Sequence, residues 1–451
     1  MSEVITPERH PEKYREVQLG PRSVTFPEDW EINTVDNLFE IQKTPFDPSE
    51  RERGSKVLLY SMPAYDSGRE PEKTRVEEIG SKKYEVPQDT ILFPKLNIRK
   101  RRFWRVRHDH DYPAICSTEY WPLLPKKELS LAFYNYYFDS YRFMSDPKVT
   151  SSSSTNSHKR VKEQSFTKLQ LPVPPLEEQR HIADILAKID KQIQQTDRII
   201  QETQGLRAGL LQDLFHNGYG EHEEILAAED LGAQSGGVST GMDQTTVGDI
   251  PADWDTERLG ELSESSSYGL NASAEEFSEA KLRYLRITDI SEEGHLKDDD
   301  PTSISPKKAE GYEIEPGDIM FARTGATVGK TFLYRDYHPD AAYAGYLIRF
   351  KFDESRVLPE FVFYYTQTDN YSRWVARITR QGAQENINTS EYSSILLPLP
   401  PIDEQQKIVS TLQTVDEQIK EERETKQELQ ALKRSLMQDL LTGKVRVDMV
   451  E

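Results

Sequence analysis

The chain has 451 residues, enough for two to four domains, and its hydrophobic fraction of 36% is low for one compact globule but suits globular parts carried on exposed helices. A single cysteine, Cys116, excludes an intrachain disulfide and a four-cysteine zinc site, and no signal-peptide pattern or run of about 18 apolar residues occurs, so a soluble, cytoplasmic protein with no membrane partner is expected. The formal net charge of −20 taken alone argues against nucleic acid, which attracts basic surfaces, so the distribution of charge along the chain matters more than its sum.

Residues 1–20 are polar and charged and read as an N-terminal arm. A globular part follows over 21–170, opening near Phe26-Pro27-Glu28-Asp29-Trp30, with strands expected at Lys56–Tyr60 and Thr90–Phe93. The stretch from Pro94 to His108 then carries seven Lys and Arg and no acid, with Phe103 and Trp104 among them. Lys95, Arg99, Lys100, Arg101, Arg102 and Arg105 are candidates for DNA contact, because arginines beside aromatics serve phosphates, base edges and stacking together. The plainer alternative is a solvated strand or loop that balances nearby acids. His108-Asp109-His110-Asp111 has ligand-type residues, but neighbours on a strand point in different directions and no partner cluster is visible, so a metal is not expected. Residues 129–145 read as one apolar helix, and the Ser-rich 148–168 as a basic loop in which Lys159 and Arg160 are further DNA candidates or mere linker residues.

Residues 171–216 read as one long helix. Pro174 and Pro175 preset its first turn, Glu177 and Glu178 complement its dipole, and Ile182, Leu186, Ile189, Ile193, Ile200, Leu206, Leu210 and Leu214 recur at three- and four-residue spacing. A Gly-rich acidic linker spans 217–249. A second globular part, 250–396, opens on Ile250-Pro251-Ala252-Asp253-Trp254, which matches the opening of the first.

Within it, Gly317–Thr331 tempts a phosphate-loop reading, but the glycine that pattern needs five residues before Gly329 is Thr324. A buried strand, Ile319 to Phe321, ending in a glycine turn is the better expectation. That turn presents Arg323, Thr324 and Lys330 to a DNA backbone, where contacts fix register without choosing sequence, or else is only a structural hairpin. Gln381, Gln384 and Asn386 could pair with adenine edges and are equally ordinary turn residues.

A second long helix over 397–446 repeats the first without a gap: over 44 positions beginning at Leu171 and Leu397, 19 residues are identical. Its seam runs through Ile408, Leu412, Val415, Ile419, Leu429, Leu432, Leu436 and Leu440, and Glu422 and Lys426 interrupt it, so looser packing is expected midway. The whole chain is therefore a duplicated module of globule and helix. No [DN]PP[FYW] tetrapeptide, nucleophile elbow, HExxH or dinucleotide glycine set occurs, and catalysis is not supported.

The doubled PxPPxxEQxxI helix start, the QDLL-type helix end with Thr442-Gly443-Lys444, and GDIMFARTGATVGK resemble the specificity subunit of type I restriction-modification systems, over about residues 20–446. The first globule carries the weaker match: Gln88–Lys95 only echoes residues 317–324 and lacks their glycines. The resemblance implies an α+β fold with two duplicated target-recognition domains, joined and separated by two long antiparallel coiled-coil helices with pseudo-twofold symmetry. It implies a non-catalytic reader of a bipartite double-stranded DNA target that docks two methyltransferase subunits and the restriction subunits. No cofactor is then expected on this chain, S-adenosylmethionine and ATP with magnesium belonging to the partners. Docked partners, or a high-salt cell that screens charge, would reconcile the acidity with DNA. The rival class is a non-enzymatic coiled-coil scaffold whose globular domains bind proteins.

Overall fold

The computed structural model describes residues 14–19, 22–106, 112–146, 149, 160–219, 242–245, 248–381 and 386–447. The chain is α+β and divides into two compact units, residues 1–197 with 424–451 and residues 198–423. The division falls within both long helices, Leu176–Asn217 and Ile402–Leu440. Most of the arm at 1–20 and of the linker at 217–249 lies outside the described residues, as does the His108–Asp111 run.

In the first unit a four-stranded antiparallel sheet runs in the order Trp104–Val106, Thr90–Pro94, Tyr120–Pro125, Phe39–Ile41. Thr90–Pro94 is buried at every residue, which is why it reads in sequence as an unbroken apolar run rather than an alternation. In a second sheet Ala114–Cys116 lies parallel to Lys56–Tyr60. The second unit repeats both features. Thr331–Leu333, Ile319–Ala322, Leu347–Phe352 and Ser263–Tyr268 form the equivalent sheet, and Leu282–Leu285 pairs parallel with Ala341–Tyr343. Ile319–Ala322 is again wholly buried.

Residues 129–145 form two helices, Leu131–Asp139 and Tyr141–Met144, rather than one. Ser140 separates them: its backbone is extended and its hydroxyl accepts from the Phe143 amide at 3.2 Å, capping the second helix. Apolar composition alone does not reveal a serine cap inside the run.

The Glu-Gln pair shared by both helix starts is structural. Glu178 accepts from Trp30 Nε1 at 2.9 Å and Glu404 from Trp254 Nε1 at 3.1 Å. Gln179 donates to the Pro174 carbonyl (2.8 Å) and accepts from the Ser130 amide (2.9 Å), while Gln405 donates to Pro400 (2.9 Å) and accepts from Leu358 (2.9 Å). Each pair thus fastens its long helix to the opening Trp and to the start of a globule helix, satisfying backbone groups that burial would otherwise orphan.

Along the long helices Ile182, Leu186, Ile189, Ile408, Leu412, Val415, Ile419 and Leu440 are buried, and Ile193 and Leu436 half-buried. Leu206 and Leu432 depart from the expected seam, being 56% and 48% exposed. The residue after each takes the inward place. In the first unit Lys433 donates to Asp190 at 2.6 Å, and Tyr136 Oη donates to the other oxygen of that carboxylate at 2.8 Å. In the second, Arg207 is paired with Asp416, to which Tyr364 Oη donates at 2.8 Å. Each cation also sits over its tyrosine ring, at 5.4 and 5.8 Å from the centroid. Lys426, which breaks the apolar pattern, pairs with Asp197. The interruption at Lys426 is therefore an occupied position with a partner.

Candidate nucleic-acid interface

Both candidate turns are tips of the same hairpin. In the first unit, strands Thr90–Pro94 and Trp104–Val106 pair antiparallel with Leu92 opposite Trp104; in the second, Ile319–Ala322 and Thr331–Leu333 pair with Met320 opposite Phe332. Each tip contains a 3-10 turn, Ile98–Lys100 and Gly325–Thr327. Two residues per tip are left-handed: Asn97 (φ 51°) and Arg101 (φ 51°) in one, Gly325 (φ 71°) and Gly329 (φ 88°) in the other. The separations 325 − 97 and 329 − 101 are both 228 residues. The glycines that seemed missing from the first globule are thus replaced by Asn97 and Arg101 in the same conformation. Asn tolerates that region, and an arginine there is uncommon.

The segment that leads into each long helix closes the same bonds. Val161 N donates to the Lys95 carbonyl at 2.9 Å and Ile387 N to the Arg323 carbonyl at 2.8 Å. Leu96 bridges to Arg160, and Thr324 to Asn386. Lys95 therefore corresponds to Arg323, Arg160 to Asn386, and Arg102 to Lys330. The structure brings together Arg323, Thr324 and Asn386, which the sequence separates by about sixty positions, and likewise Lys95 and Arg160.

The candidates differ in how free their charge is. Arg102 is buried and forks onto Asp66, with Nε at 2.7 Å from Oδ1, and that hydrogen bonding holds the Asp66 carboxyl below its usual range. Lys330 is 14% exposed and ion-paired with Glu292 at 2.6 Å. Arg160 is held by Glu119 at 2.7 and 3.2 Å. Arg101 turns toward the Asp139 carbonyl (3.2 Å), at the rim of a cavity of about 880 Å³. Arg105 is half-buried on its strand. Arg99 and Lys100 are exposed on the 3-10 turn and have no carboxylate at ion-pair distance among the described residues.

Gly329 has a packing reason of its own: a Cβ there would stand 2.7 Å from Val375, and its carbonyl accepts from Tyr371 Oη at 2.7 Å. A phosphate is not needed to explain that glycine. At Gly325, by contrast, nothing lies within 4 Å of an added Cβ, so this side of the tip is open.

Gln381 closes the helix Asp369–Gln381; Lys159 and Gln384 lie outside the described residues. Sequence reasoning passed over that helix. Tyr371 packs in the core, Trp374 and Val375 pack against it, and Arg373, Arg377 and Arg380 are exposed at a spacing of four and three, one basic face. The spacing was legible. Also missed were Tyr268 and Tyr346, exposed aromatics brought to the tip by strands remote in sequence.

Among the described residues no cluster of His, Cys, Asp or Glu could hold a metal, and no helix is long and apolar enough to cross a membrane.

The model of the type I restriction modification DNA specificity domain matches residues 27–204 and again 251–431. Among curated proteins, the type I restriction enzyme MjaVIII specificity subunit of Methanocaldococcus jannaschii is 26% identical over 62% of this chain, and the match spans only 63% of that relative's length. The putative MjaX specificity subunit of the same organism is 23% identical over 97% of both chains. Among solved structures, the type I restriction-modification S subunit from M. genitalium aligns over 93% of this chain and 97% of its own, with a TM-score of 0.55 at 14% identity. A chain from a study of assembly and conformational transition of the type I system aligns over 93% and 99%, with a TM-score of 0.52 at 18% identity. With the family pattern matched once in each half of a duplicated α+β chain, the protein belongs to the type I restriction-modification DNA specificity family, whose members are non-catalytic DNA-recognition subunits.

Proposed function

We propose that this chain is the sequence-reading subunit of a type I restriction-modification complex, each unit reading one half of a bipartite double-stranded target. The observation that carries this reading is the repeated hairpin tip: left-handed residues at equivalent positions and the same bond closing its base in both units, bearing Lys95, Arg99 and Lys100 in one and Arg323 and Thr324 in the other. Equivalent frames with different side chains suit two readers of different half-sites. Two methyltransferase subunits and the restriction subunits would dock on it in the cytoplasm, bringing S-adenosylmethionine and ATP with magnesium. To test the reading, residues 26–168 are replaced by the equivalent domain of another such subunit and the methylated motif is mapped in cells. One half of the motif is expected to change; a change in both halves would defeat the two-reader assignment.

The long helices are proposed to pair as an antiparallel coiled coil that sets half-site spacing. The march of ion pairs supports this. As the first helix advances through Asp190, Asp197 and Arg207, the partner residue falls through Lys433, Lys426 and Asp416, by seven and then ten positions in step. Cysteines at Leu186 and Met437, or at Leu211 and Leu412, should then crosslink under mild oxidation, the native Cys116 being buried and inert. Efficient crosslinking of 186 to 412 instead would mean parallel helices.

A further inference from the structure

Arg323 differs from the other cations of its hairpin in being oriented without being neutralised. Its backbone is fixed at both ends, the amide donating to the Tyr346 carbonyl at 3.0 Å and the carbonyl accepting from Ile387 N at 2.8 Å. Its Nε donates to Asn386 Oδ1 at 3.2 Å, and its guanidinium carbon lies 4.7 Å from the centroid of the Tyr268 ring. Tyr268 is held in turn, its hydroxyl accepting from the Thr389 amide at 3.2 Å. No carboxylate pairs with Arg323 among the described residues, whereas Lys330 has Glu292 and, in the first unit, Arg102 has Asp66 and Arg160 has Glu119. Neither Nη group has a hydrogen-bond partner among the described residues, while nearby Gly325 leaves open space and Tyr346, whose carbonyl holds the Arg323 amide, stands 62% exposed.

A cation meant only for phosphate needs charge and reach, and a mobile side chain supplies both. The Tyr268 ring and the Nε bond to Asn386 instead restrain the guanidinium and leave its two terminal nitrogens without a partner among the described residues. That is the geometry of a two-point donor, and in a DNA groove the matching acceptor pair is O6 and N7 of guanine. Fixing the fork in advance also removes the ordering cost of binding. Asn386 turns its side-chain oxygen to Arg323 and so acts by aiming it.

We infer that Arg323, aimed by Asn386 and Tyr268, reads a guanine in the half-site of the second unit, a role beyond the register-setting contact expected of this turn. The first unit lacks the device: Lys95 stands at the position of Arg323, and Arg160, at that of Asn386, is held by Glu119. This inference rests on the proposed DNA-reading function.

The test uses the full chain assembled with its methyltransferase partner. It is bound to duplexes with a randomised core, and the retained duplexes are sequenced. The unaltered protein should enrich a two-part motif with guanine favoured about tenfold or more at one pair of one half. Arg323→Ala should reduce that preference below about twofold while the other half is unchanged. Arg323→Lys, which keeps the charge and loses the fork, should fall between, and Asn386→Ala should broaden the same pair and no other. Retention of the guanine preference in Arg323→Ala, or weakening of all positions of both halves alike in Arg323→Ala and Arg323→Lys, would overturn the assignment. If the unaltered protein enriches no two-part motif, the DNA-reading function falls and this inference with it.

Discussion

Replacing Arg446 with alanine should lower the stability of the first unit by about 3 kcal/mol, one of the larger effects a single change at this distance from the sheets can produce. Arg446 lies beyond the end of the second long helix. Gly443, left-handed at φ 68°, lets the chain pass so close to Pro27 that a Cβ would stand 2.5 Å from its Cδ. That turn delivers the Arg446 guanidinium to Glu178, at 2.7 and 2.9 Å, and to Asp29, at 2.9 and 2.7 Å. Glu178 is 1% exposed, and besides Arg446 it receives only the Trp30 indole N–H among the described residues. Without the guanidinium a buried carboxylate keeps its desolvation cost and loses its counter-charge. The figure is taken at the low end of the usual range because about a third of the arginine side chain is exposed and water can partly replace it. For a unit of this size the unfolding midpoint should drop by roughly 6–12 °C. The double change Glu178→Gln with Arg446→Met should recover much of the loss, since it removes the orphaned charge. Thermal unfolding followed by tryptophan fluorescence reads both, and an unchanged midpoint in Arg446→Ala would show that the pair contributes nothing.

Reversing Arg99 and Lys100 to glutamate should cost at least about a hundredfold in DNA affinity while leaving the fold and partner assembly intact. Both side chains are exposed at the tip of the first hairpin, and neither is engaged by a carboxylate among the described residues. Two charge-assisted contacts to phosphate at about 1.5–3 kcal/mol each give at least that factor before repulsion is added. The salt dependence is the sharper readout, because losing two phosphate contacts should shallow the slope of log K against log salt by about 1.8. Arg102 is left out of this variant. It is buried on Asp66, and reversing it would place two carboxylates together and disturb the hairpin itself. Binding of a cognate duplex from low to high salt, with the methyltransferase partner present, decides the matter; equal affinity and slope would return the turn to a solvated surface role.

The sequence by itself determined the large-scale plan. The doubled helix with its paired prolines, the openings at Trp30 and Trp254, and the strands Thr90–Pro94 and Ile319–Ala322 are all carried by local periodicity and by a repeat that needs no gap. Such features are legible because helix period, proline geometry and unbroken apolar runs act on neighbours in the chain. What a given polar residue faces is not local, and there tertiary structure decided. The Glu-Gln signature looked like a family mark and is a clamp between a tryptophan and a globule helix. Leu206 and Leu432 fit a heptad yet face outward, because Arg207 and Lys433 find a carboxylate and a tyrosine on the inner side. Seven cations between Pro94 and His108 looked alike in sequence. Folding buried Arg102 on Asp66, tied Arg101 to Asp139 and left Arg99 and Lys100 exposed, since each charge is set by the acids that non-neighbouring segments bring to it. Arg323 became a candidate base reader only when Asn386 and Tyr268, 63 and 55 positions away, were placed beside it.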